Sequence, residues 1–289
     1  MMSSFDYDNL CSSKFGDSYD ENSLYFISIQ GPTSSGKSSL SNSIKSLLSS
    51  RKAYLIRLDD FYMIRDNAYE DVDNLDFDNP NILNWRNIYD VINSIIGKDA
   101  LIPLYQRSTE ACNKLTYVEN IGYNLVIIEG LYAFNCLNEK IFNLKEFDIY
   151  DSDRYIENEY VENEQIIDYR SIGNGFKDIK FLNIMLTLCK SKMYSLKTKR
   201  DRISRNLPYQ VILDRLNKFI WPDTLKWVYS EIFKHDIVIR HGNFNDFEIT
   251  KLKKSLVKYF GCTQKSSDVF KDDLKREYLI DCSGECLLE

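Results

Sequence analysis

One eight-residue segment, Gly31-Pro32-Thr33-Ser34-Ser35-Gly36-Lys37-Ser38, constrains this chain more than any other. It matches the pattern G-x-x-x-x-G-K-[ST], in which two glycines let backbone N–H groups turn inward toward phosphate oxygens. A short apolar run over 24–29 precedes it, and a segment with helical spacing of apolar residues over 37–50 follows. A Gly/Ser turn that matched by chance would not need these flanks, whereas a phosphate-binding loop requires strand, loop and helix in this order.

The segment therefore predicts a nucleoside triphosphate site, for ATP or GTP, with Mg²⁺. Lys37 would reach the β- and γ-phosphates, and the Ser38 hydroxyl would bind the metal ion. The residues predicted to surround the phosphates are Gly31, Thr33, Ser34, Ser35, Gly36, Lys37, Ser38 and Ser39.

Strand and helix patterns alternate along the chain. This alternation predicts an α/β fold with a parallel sheet of about five strands and helices on both faces. The predicted strands cover 24–29, 53–58, 125–128, 147–150 and 236–239. Ligands of such sheets bind beyond the carboxyl ends of the strands. The polar or small residues at those ends are Gly31, Asp59, Glu129 and Asp151.

Helical patterns cover 88–96, 207–220, 223–233 and 247–259. We expect one domain over 23–260, with a disordered tail over 1–22 and a weakly ordered one over 261–289. Residues 155–196 fit the alternation poorly. We interpret them as a peripheral insertion that stays out of the sheet, with a helix over 181–188.

Two acidic sites follow predicted strands. Asp59-Asp60-Phe61-Tyr62 ends the second strand, where a carboxylate would orient or deprotonate an acceptor hydroxyl or hold Mg²⁺ through water. We expect that strand to lie next to the strand before the loop. Glu129 follows the buried run 125–128, in the position of a metal-binding carboxylate. Taken alone, either site also fits a solvated acid without a role.

A basic run lies in a chain that is otherwise acidic. The chain has 37 Lys and Arg against 43 Asp and Glu, which gives a net charge of -6. Concentrated positive charge then indicates either a lid that closes over a polyphosphate or a solvated helix face. The members of the run are Lys190, Lys192, Lys197, Lys199, Arg200, Arg202 and Arg205.

The composition excludes other classes of partner. A negative net charge gives no broad footprint for nucleic acid. No stretch approaches 18 consecutive apolar residues, and residues 1–22 lack the apolar region of a secretory signal. We expect a cytoplasmic protein with a small-molecule substrate, without a nucleic-acid or membrane partner, and we leave homo-oligomerisation open.

These signals, in this order, resemble the uridine–cytidine kinase family over roughly 24–258. Asp59 to Tyr62 resembles its D-x-F-Y motif, and 76–80 resembles N-F-D-H-P. Residues 102–105 resemble I-P-V-Y, and 128–134 resemble F-E-G-I-L-A-F. Arg200, Asp201 and Arg205 resemble the lid motif R-D-x-x-x-R-G.

The resemblance implies a P-loop NTPase fold of the nucleotide-kinase type, a three-layer sandwich, and ATP-dependent phosphorylation of a ribonucleoside, most simply uridine or cytidine. It assigns the catalytic base to Asp59 and ribose binding to Asp78, with Lys37, Arg200 and Arg205 on the transferred phosphoryl group. Ser38 and Glu129 would hold Mg²⁺. Residues expected to contact the nucleoside are Tyr62, Asp78, Tyr105 and Glu110.

The sequence also departs from that family. After its tyrosine the family has D-F-x-x-H-S-R, which reads the pyrimidine, whereas Glu110 stands at the histidine and Cys112 at the arginine. Asn206 replaces the lid glycine. The segments 59–62 and 127–135 resemble nicotinamide riboside kinase equally well. A nicotinamide riboside or other ribose-like kinase, and a nucleotide-binding module without turnover, therefore stay open.

Overall fold

The structure is a computed structural model that describes residues 5–62, 76–106, 114–137, 176–240 and 246–262. Within these ranges the strands alternate with helices, as the sequence predicts. The strands are β1 (Leu24–Gln30), β2 (Ala53–Arg57), β3 (Leu101–Gln106), β4 (Lys114–Glu119), β5 (Leu125–Gly130), β6 (Ile179–Thr187) and β7 (Ile237–Arg240). The helices are α1 (Tyr7–Phe15), α2 (Lys37–Leu47), α3 (Trp85–Ile96), α4 (Lys190–Ser204), α5 (Tyr209–Arg215), α6 (Trp221–Asp223) and α7 (Asp246–Tyr259).

The central sheet has five strands in the order β2-β5-β1-β6-β7, and every neighbouring pair is parallel. Strands β3 and β4 form a separate antiparallel hairpin. Because β1 and β5 are buried on both faces, their residues are apolar almost throughout. The predicted α/β fold with a parallel sheet is confirmed.

Alternate residues of β1 face two different cores. Leu24 and Phe26 belong to a core that α3 completes, while Tyr25 and Ile27 belong to one that α1, α2 and α7 complete. Helices therefore cover both faces of the sheet, which makes a three-layer sandwich. A third, smaller core joins α4, α5 and the helical turn Leu216–Ile220 at the carboxyl end of the sheet.

The prediction of a disordered tail over 1–22 is wrong for the described part of that segment. Asp6 caps α1 by accepting from the N–H groups of Asp8 and Asn9. Leu10 and Phe15 are buried against the core that α7 completes, and Tyr259 donates to the carbonyl of Phe15. The segment reads as polar because only one side of a short helix is apolar, and that side is enough to anchor it.

The prediction that 155–196 stays out of the sheet is also wrong. Ile179–Thr187 forms β6, and its residues 179–185 pair in parallel with all seven residues of β1. An apolar run of this length does not distinguish a buried strand from a helix by periodicity, and here the open edge of β1 decides. The predicted strand 147–150 and most of the tail 261–289 lie outside the described residues.

Candidate active site

The loop between β1 and α2 has the backbone of a phosphate cradle. Gly36 and Ser34 adopt left-handed conformations, with φ of 91° and 64°. Consecutive residues of alternating hand point their N–H groups into one concavity. A side chain at Gly31 is excluded, because its Cβ would lie 2.4 Å from the carbonyl oxygen of Leu186. Lys37 begins α2, as predicted, so that the positive end of the helix faces the loop.

Several polar groups of this loop are suited to binding an anion. The Nζ of Lys37 donates to the carbonyl of Pro32 at 2.8 Å, a contact within the loop itself. Burial lowers the pKa of Lys37, while the carboxylates of Glu129, Asp59 and Asp78 raise it. The hydroxyls of Ser34 and Ser35 are buried, and neither has a hydrogen-bond partner among the described residues. A polyphosphate would supply acceptors for both and charge compensation for Lys37.

Ser38 and Glu129 meet at the end of the sheet. Glu129 lies at the carboxyl end of β5, opposite Ile29 of β1 and Arg57 of β2. Its carboxylate is 4% exposed and accepts from the Ser38 hydroxyl at 2.8 Å. Burial raises the pKa of Glu129, and Lys37 with the Ser38 hydrogen bond lowers it.

These two oxygen ligands fit Mg²⁺. Within the described ranges, no group of three or more His, Cys, Asp or Glu side chains is arranged to hold a metal ion without other ligands. Mg²⁺ in phosphoryl-transfer sites needs only one or two protein ligands, since phosphates and water complete its octahedron. When bound, the ion would neutralise charge on the phosphate oxygens.

A cleft of about 830 Å³ runs from the phosphate loop to α4 and the helical turn after α5. It brings together most of the predicted site residues, from five separate stretches of the chain. Those that line it are Thr33, Ser34, Gly36, Lys37, Ser38, Ser39, Asp59, Tyr62, Asp78, Glu129, Arg200 and Arg205. Gly31 and Ser35 are buried behind the loop and do not line it.

Asp59 lines the cleft, but its strand β2 is not adjacent to β1, contrary to the prediction. In the sheet β5 lies between β1 and β2, so Asp59 ends a strand two places away from the phosphate loop. Asp59 is exposed in the short 3₁₀ turn Leu58–Phe61 that follows β2. Gly130 permits this turn, because a Cβ there would lie 2.6 Å from the Leu58 side chain.

Asp78 lines the same cleft, in a short segment that several hydrogen bonds hold in place. Its main-chain N–H donates to Oδ1 of Asp76 at 3.1 Å, and its carbonyl accepts from the hydroxyl of Tyr132. Trp85 donates to the carbonyl of Pro80, two residues further on. Burial raises the pKa of the Asp78 carboxyl to about 6, with Lys197 acting in the opposite direction.

The aromatic walls are only partly as predicted. Tyr62 is 8% exposed and meets the ring of Phe77 edge-on at 6.2 Å between centroids, and both line the cleft. Tyr105 does not line it, since its ring packs against Phe61 at 5.3 Å. Glu110 lies outside the described residues. Phe77 was not predicted to contact the substrate, although it stands at the phenylalanine of the segment that resembles N-F-D-H-P.

The basic run lies on α4 and at its carboxyl end, and three of its members surround Asp201. The Asp201 carboxylate is 4% exposed and accepts from Lys197 Nζ at 2.8 Å and from Arg200 Nε at 3.0 Å. Arg205 Nη1 lies 3.8 Å from Oδ1 of the same carboxylate. Burial raises the pKa of Asp201, but its cationic partners outweigh this and hold it below the usual value.

The pairing of Lys197 with Asp201 could have been predicted from their spacing. Lys197 and Asp201 are four residues apart on a helix, which places their side chains on one face. Asn206, at the position of the family's glycine, has φ of 52°. Asparagine tolerates this left-handed conformation better than most residues, so the turn is kept without glycine.

Comparison with known proteins supports the family resemblance. The chain matches the Phosphoribulokinase / Uridine kinase family over residues 26–157. It is 23% identical to the uridine kinase of Schizosaccharomyces pombe over 231 residues, which is 78% of this chain and 42% of that protein. It is 25% identical to the uridine kinase of Saccharomyces cerevisiae over 220 residues, covering 74% and 36%. The chain thus spans less than half the length of these relatives.

Solved structures of similar proteins include a possible uridine kinase from Bacillus stearothermophilus, at TM-score 0.45 and 14% identity, covering 81% of this chain and 96% of that one. A phosphoribulokinase from Rhodobacter spheroides gives TM-score 0.44 and 14% identity, covering 76% and 71%. Among the described residues, no helix is long and apolar enough to cross a membrane.

Proposed function

We propose that this protein transfers the γ-phosphoryl group of ATP to a ribonucleoside hydroxyl, most simply the 5′-hydroxyl of uridine or cytidine. The observation that carries the proposal is the convergence on one cleft of four groups: Lys37, the Ser38–Glu129 pair, Asp59 and Asp78. A nucleotide-binding module without turnover would not need Asp59 and Asp78 opposite the phosphate cradle. GTP as donor is an alternative that the loop accommodates equally.

The chain's own groups divide the task between two ends of the cleft. Lys37 and the loop N–H groups would bind the phosphates, because fixed positive charge there stabilises the transferring group. Arg200 and Arg205 are half-exposed above the cleft, at 43% and 48% of their side chains. Both arginines pair with Asp201, which keeps them near the cleft. Because their side chains are half-exposed, both guanidinium groups can turn toward the phosphoryl group during transfer.

The acceptor would bind at the other end. Once ionised, Asp78 can accept two hydrogen bonds from the vicinal diol of a ribose. Tyr62 and Phe77 offer a flat apolar wall to the ring. Asp59 lines the same cleft and would orient the attacking hydroxyl or accept its proton. The loose transition state of phosphoryl transfer makes this positioning, more than base strength, the contribution of Asp59.

Nicotinamide riboside is the second candidate. The acceptor end carries Asp76 as well as Asp78, and Glu110 stands in the sequence where the resembling family has its pyrimidine-reading histidine. Carboxylates suit a cationic ring better than the carbonyl-rich edge of uracil. This observation favours a ribose-bearing cation over other ribose-like substrates.

An acceptor panel tests the proposal. ADP release would be measured with ATP and Mg²⁺ against uridine, cytidine, adenosine, nicotinamide riboside and pantothenate, each beside a sample without acceptor. We expect acceptor-dependent release with uridine or cytidine, and the second candidate predicts it with nicotinamide riboside. ATP binding without acceptor-dependent release from any ribose-bearing compound would contradict the proposal.

A further inference from the structure

The lid helix α4, which carries Arg200, is joined to the sheet through Leu188. Strand β6 ends one residue before Leu188, and α4 begins two residues after it. The side chain of Leu188 is buried in the third, smaller core. The hydroxyl of Tyr229, from a distant part of the chain, accepts from the N–H of Leu188 at 2.9 Å and donates to its carbonyl at 2.6 Å. One phenolic hydroxyl can make both bonds, because it is a donor and an acceptor.

Tyr229 is anchored in a different core from Leu188. It begins the short 3₁₀ helix Tyr229–Lys234, and its ring packs against the core that α3 completes. The two residues before it are buried in that same core. Leu188, by contrast, shares its core with Met193 of the lid helix. The Tyr229 hydroxyl therefore connects the core between the sheet and α3 to the core beneath the lid helix, close to the residue at which that helix begins.

The lid helix buries little apolar surface of its own. Of its fifteen residues, Met193, Lys197 and Asp201 are buried, so Met193 is its one buried apolar side chain. The core that Met193 enters contains five buried residues among those described. Within the same described part of the chain, Cys189 provides no side-chain cap for the first turn of the helix. An element with few buried apolar contacts opens locally with ease, so the two hydrogen bonds at Leu188 are a substantial part of what holds it.

Resting on the proposed function, we propose that Tyr229 is a positioning residue for phosphoryl transfer, which acts through Arg200 and Arg205. Its hydroxyl fixes the direction in which α4 leaves the sheet, and thereby the place of both guanidinium groups at the cleft. At a rise of about 1.5 Å per residue, Arg200 lies about 18 Å from Leu188, so a tilt of about 10° moves it by about 3 Å. A misplacement of about 1 Å at the reacting atoms can cost about 10² in rate. Small changes of direction at Leu188 therefore matter at the arginines.

The test compares Tyr229→Phe with Tyr259→Phe. The first variant keeps the ring and its packing and removes the hydroxyl that binds Leu188. The second is a matched control, because its hydroxyl also makes two hydrogen bonds to the main chain, with the carbonyls of Phe15 and Ser18. The ring of Tyr259 packs at the start of β1, at the end of the sheet opposite to the cleft. Urea unfolding of each variant checks that it is folded under the assay conditions.

We expect Tyr229→Phe to lower kcat about tenfold, as for the loss of two ordinary hydrogen bonds, and to leave the KM of the acceptor and of ATP within about twofold. The acceptor KM should hold because the residues that bind the acceptor lie on other elements. Tyr259→Phe should keep the kcat of the wild type.

The same substitution in Arg200→Ala/Arg205→Ala gives a readout that a purely structural role would not change. With both guanidinium groups removed, Tyr229→Phe has little left to position, so it should lower kcat further by less than about twofold. An equal reduction in both backgrounds, or a kcat within about twofold of the wild type in Tyr229→Phe alone, would overturn the proposal.

Amide hydrogen exchange without nucleotide or acceptor separates this inference from the proposed function. In Tyr229→Phe we expect the amides of residues 188–193 to exchange about tenfold faster than in the wild type, and those of β1 to exchange at the wild-type rate. Unchanged exchange at 188–193, with normal nucleoside turnover by the wild type, would overturn the hold of Tyr229 and leave the proposed function intact. Faster exchange in a protein whose wild type phosphorylates no nucleoside would support the hold, and would overturn the proposed function together with the positioning role.

Discussion

Replacing Asp201 by asparagine tests the lid, because the change removes a buried charge and keeps the size of the side chain. Of the three cations around Asp201, Lys197 is the buried one, with 10% of its side chain exposed. Arg200 and Arg205 are about half-exposed, and such pairs contribute about 0–1 kcal/mol each. The variant therefore loses stability mainly by leaving Lys197 without its partner.

The size of that loss has an upper limit. Breaking a buried ion pair by removing one partner typically costs about 3–5 kcal/mol. Lys197 can avoid being a buried unpaired charge by losing its proton. Deprotonating an amine of pKa 10.5 at a pH of about 7 costs about 5 kcal/mol, so the loss cannot exceed this value. We expect the free energy of unfolding to fall by about 3–5 kcal/mol near pH 7. The loss should shrink as pH rises, since the limit is only about 2 kcal/mol near pH 9.

Urea unfolding at both pH values would measure this, with Asp214→Asn as the control and Lys197→Met/Asp201→Asn as the paired variant. The paired variant should be more stable than Asp201→Asn alone, because no unpaired ammonium group remains. A loss below about 1 kcal/mol in Asp201→Asn, or a loss that grows with pH, would refute this account of the lid.

Three further predictions concern the loop and the acceptor site. Gly31→Ala should lower the free energy of unfolding by at least about 1–3 kcal/mol in urea, because the new Cβ meets the Leu186 carbonyl; wild-type stability would contradict this. Acceptor KM should rise as pH falls through about 6, where Asp78 takes up a proton, and Asp78→Asn should raise KM and flatten that profile. Weakened ATP binding with unchanged acceptor KM in Asp78→Asn would show that the two sites are assigned wrongly. Because the pKa of Asp223 is raised in the folded state, that state binds more protons between about pH 4 and 8, so stability should fall with rising pH there. Asp223→Asn should show a shallower fall in thermal or urea unfolding, and an identical slope would count against the buried neutral carboxyl.

The sequence predicted the elements whose local signals agree with their surroundings. Strands β1, β2 and β5 are short apolar runs between turn residues, and α2 follows a glycine loop that fits no other structure as well. Lys37 and Ser38 could be found because they complete the phosphate-loop pattern, and Glu129 because it directly follows the buried apolar run 125–128. Their closeness then follows from parallel strands ending at one edge of the sheet.

What the sequence did not predict depends on partners distant in the chain. The run that forms β6 is equally apolar as helix or strand, and only the open edge of β1 selects the strand. The apolar side of α1, which carries Leu10 and Phe15, does not by itself predict a stable helix, because the stability comes from packing against α7. The guanidinium group of Arg215 lies over the ring of Phe77, 5.5 Å from its centroid, and so joins two segments that no motif connects.

The central claim is that the loop at Lys37 transfers a phosphoryl group to a ribose hydroxyl in the same cleft. It is tested most directly by ³¹P NMR of the product formed from ATP, Mg²⁺ and uridine, with 5′-deoxyuridine as the matched acceptor that lacks the attacking hydroxyl. We expect uridine 5′-monophosphate from the wild type and from Lys45→Met, an exposed lysine on the same helix, and none from 5′-deoxyuridine. Lys37→Met should form it about 10²–10³ times more slowly. Near-normal turnover by Lys37→Met, or phosphate released only to water, would contradict the account.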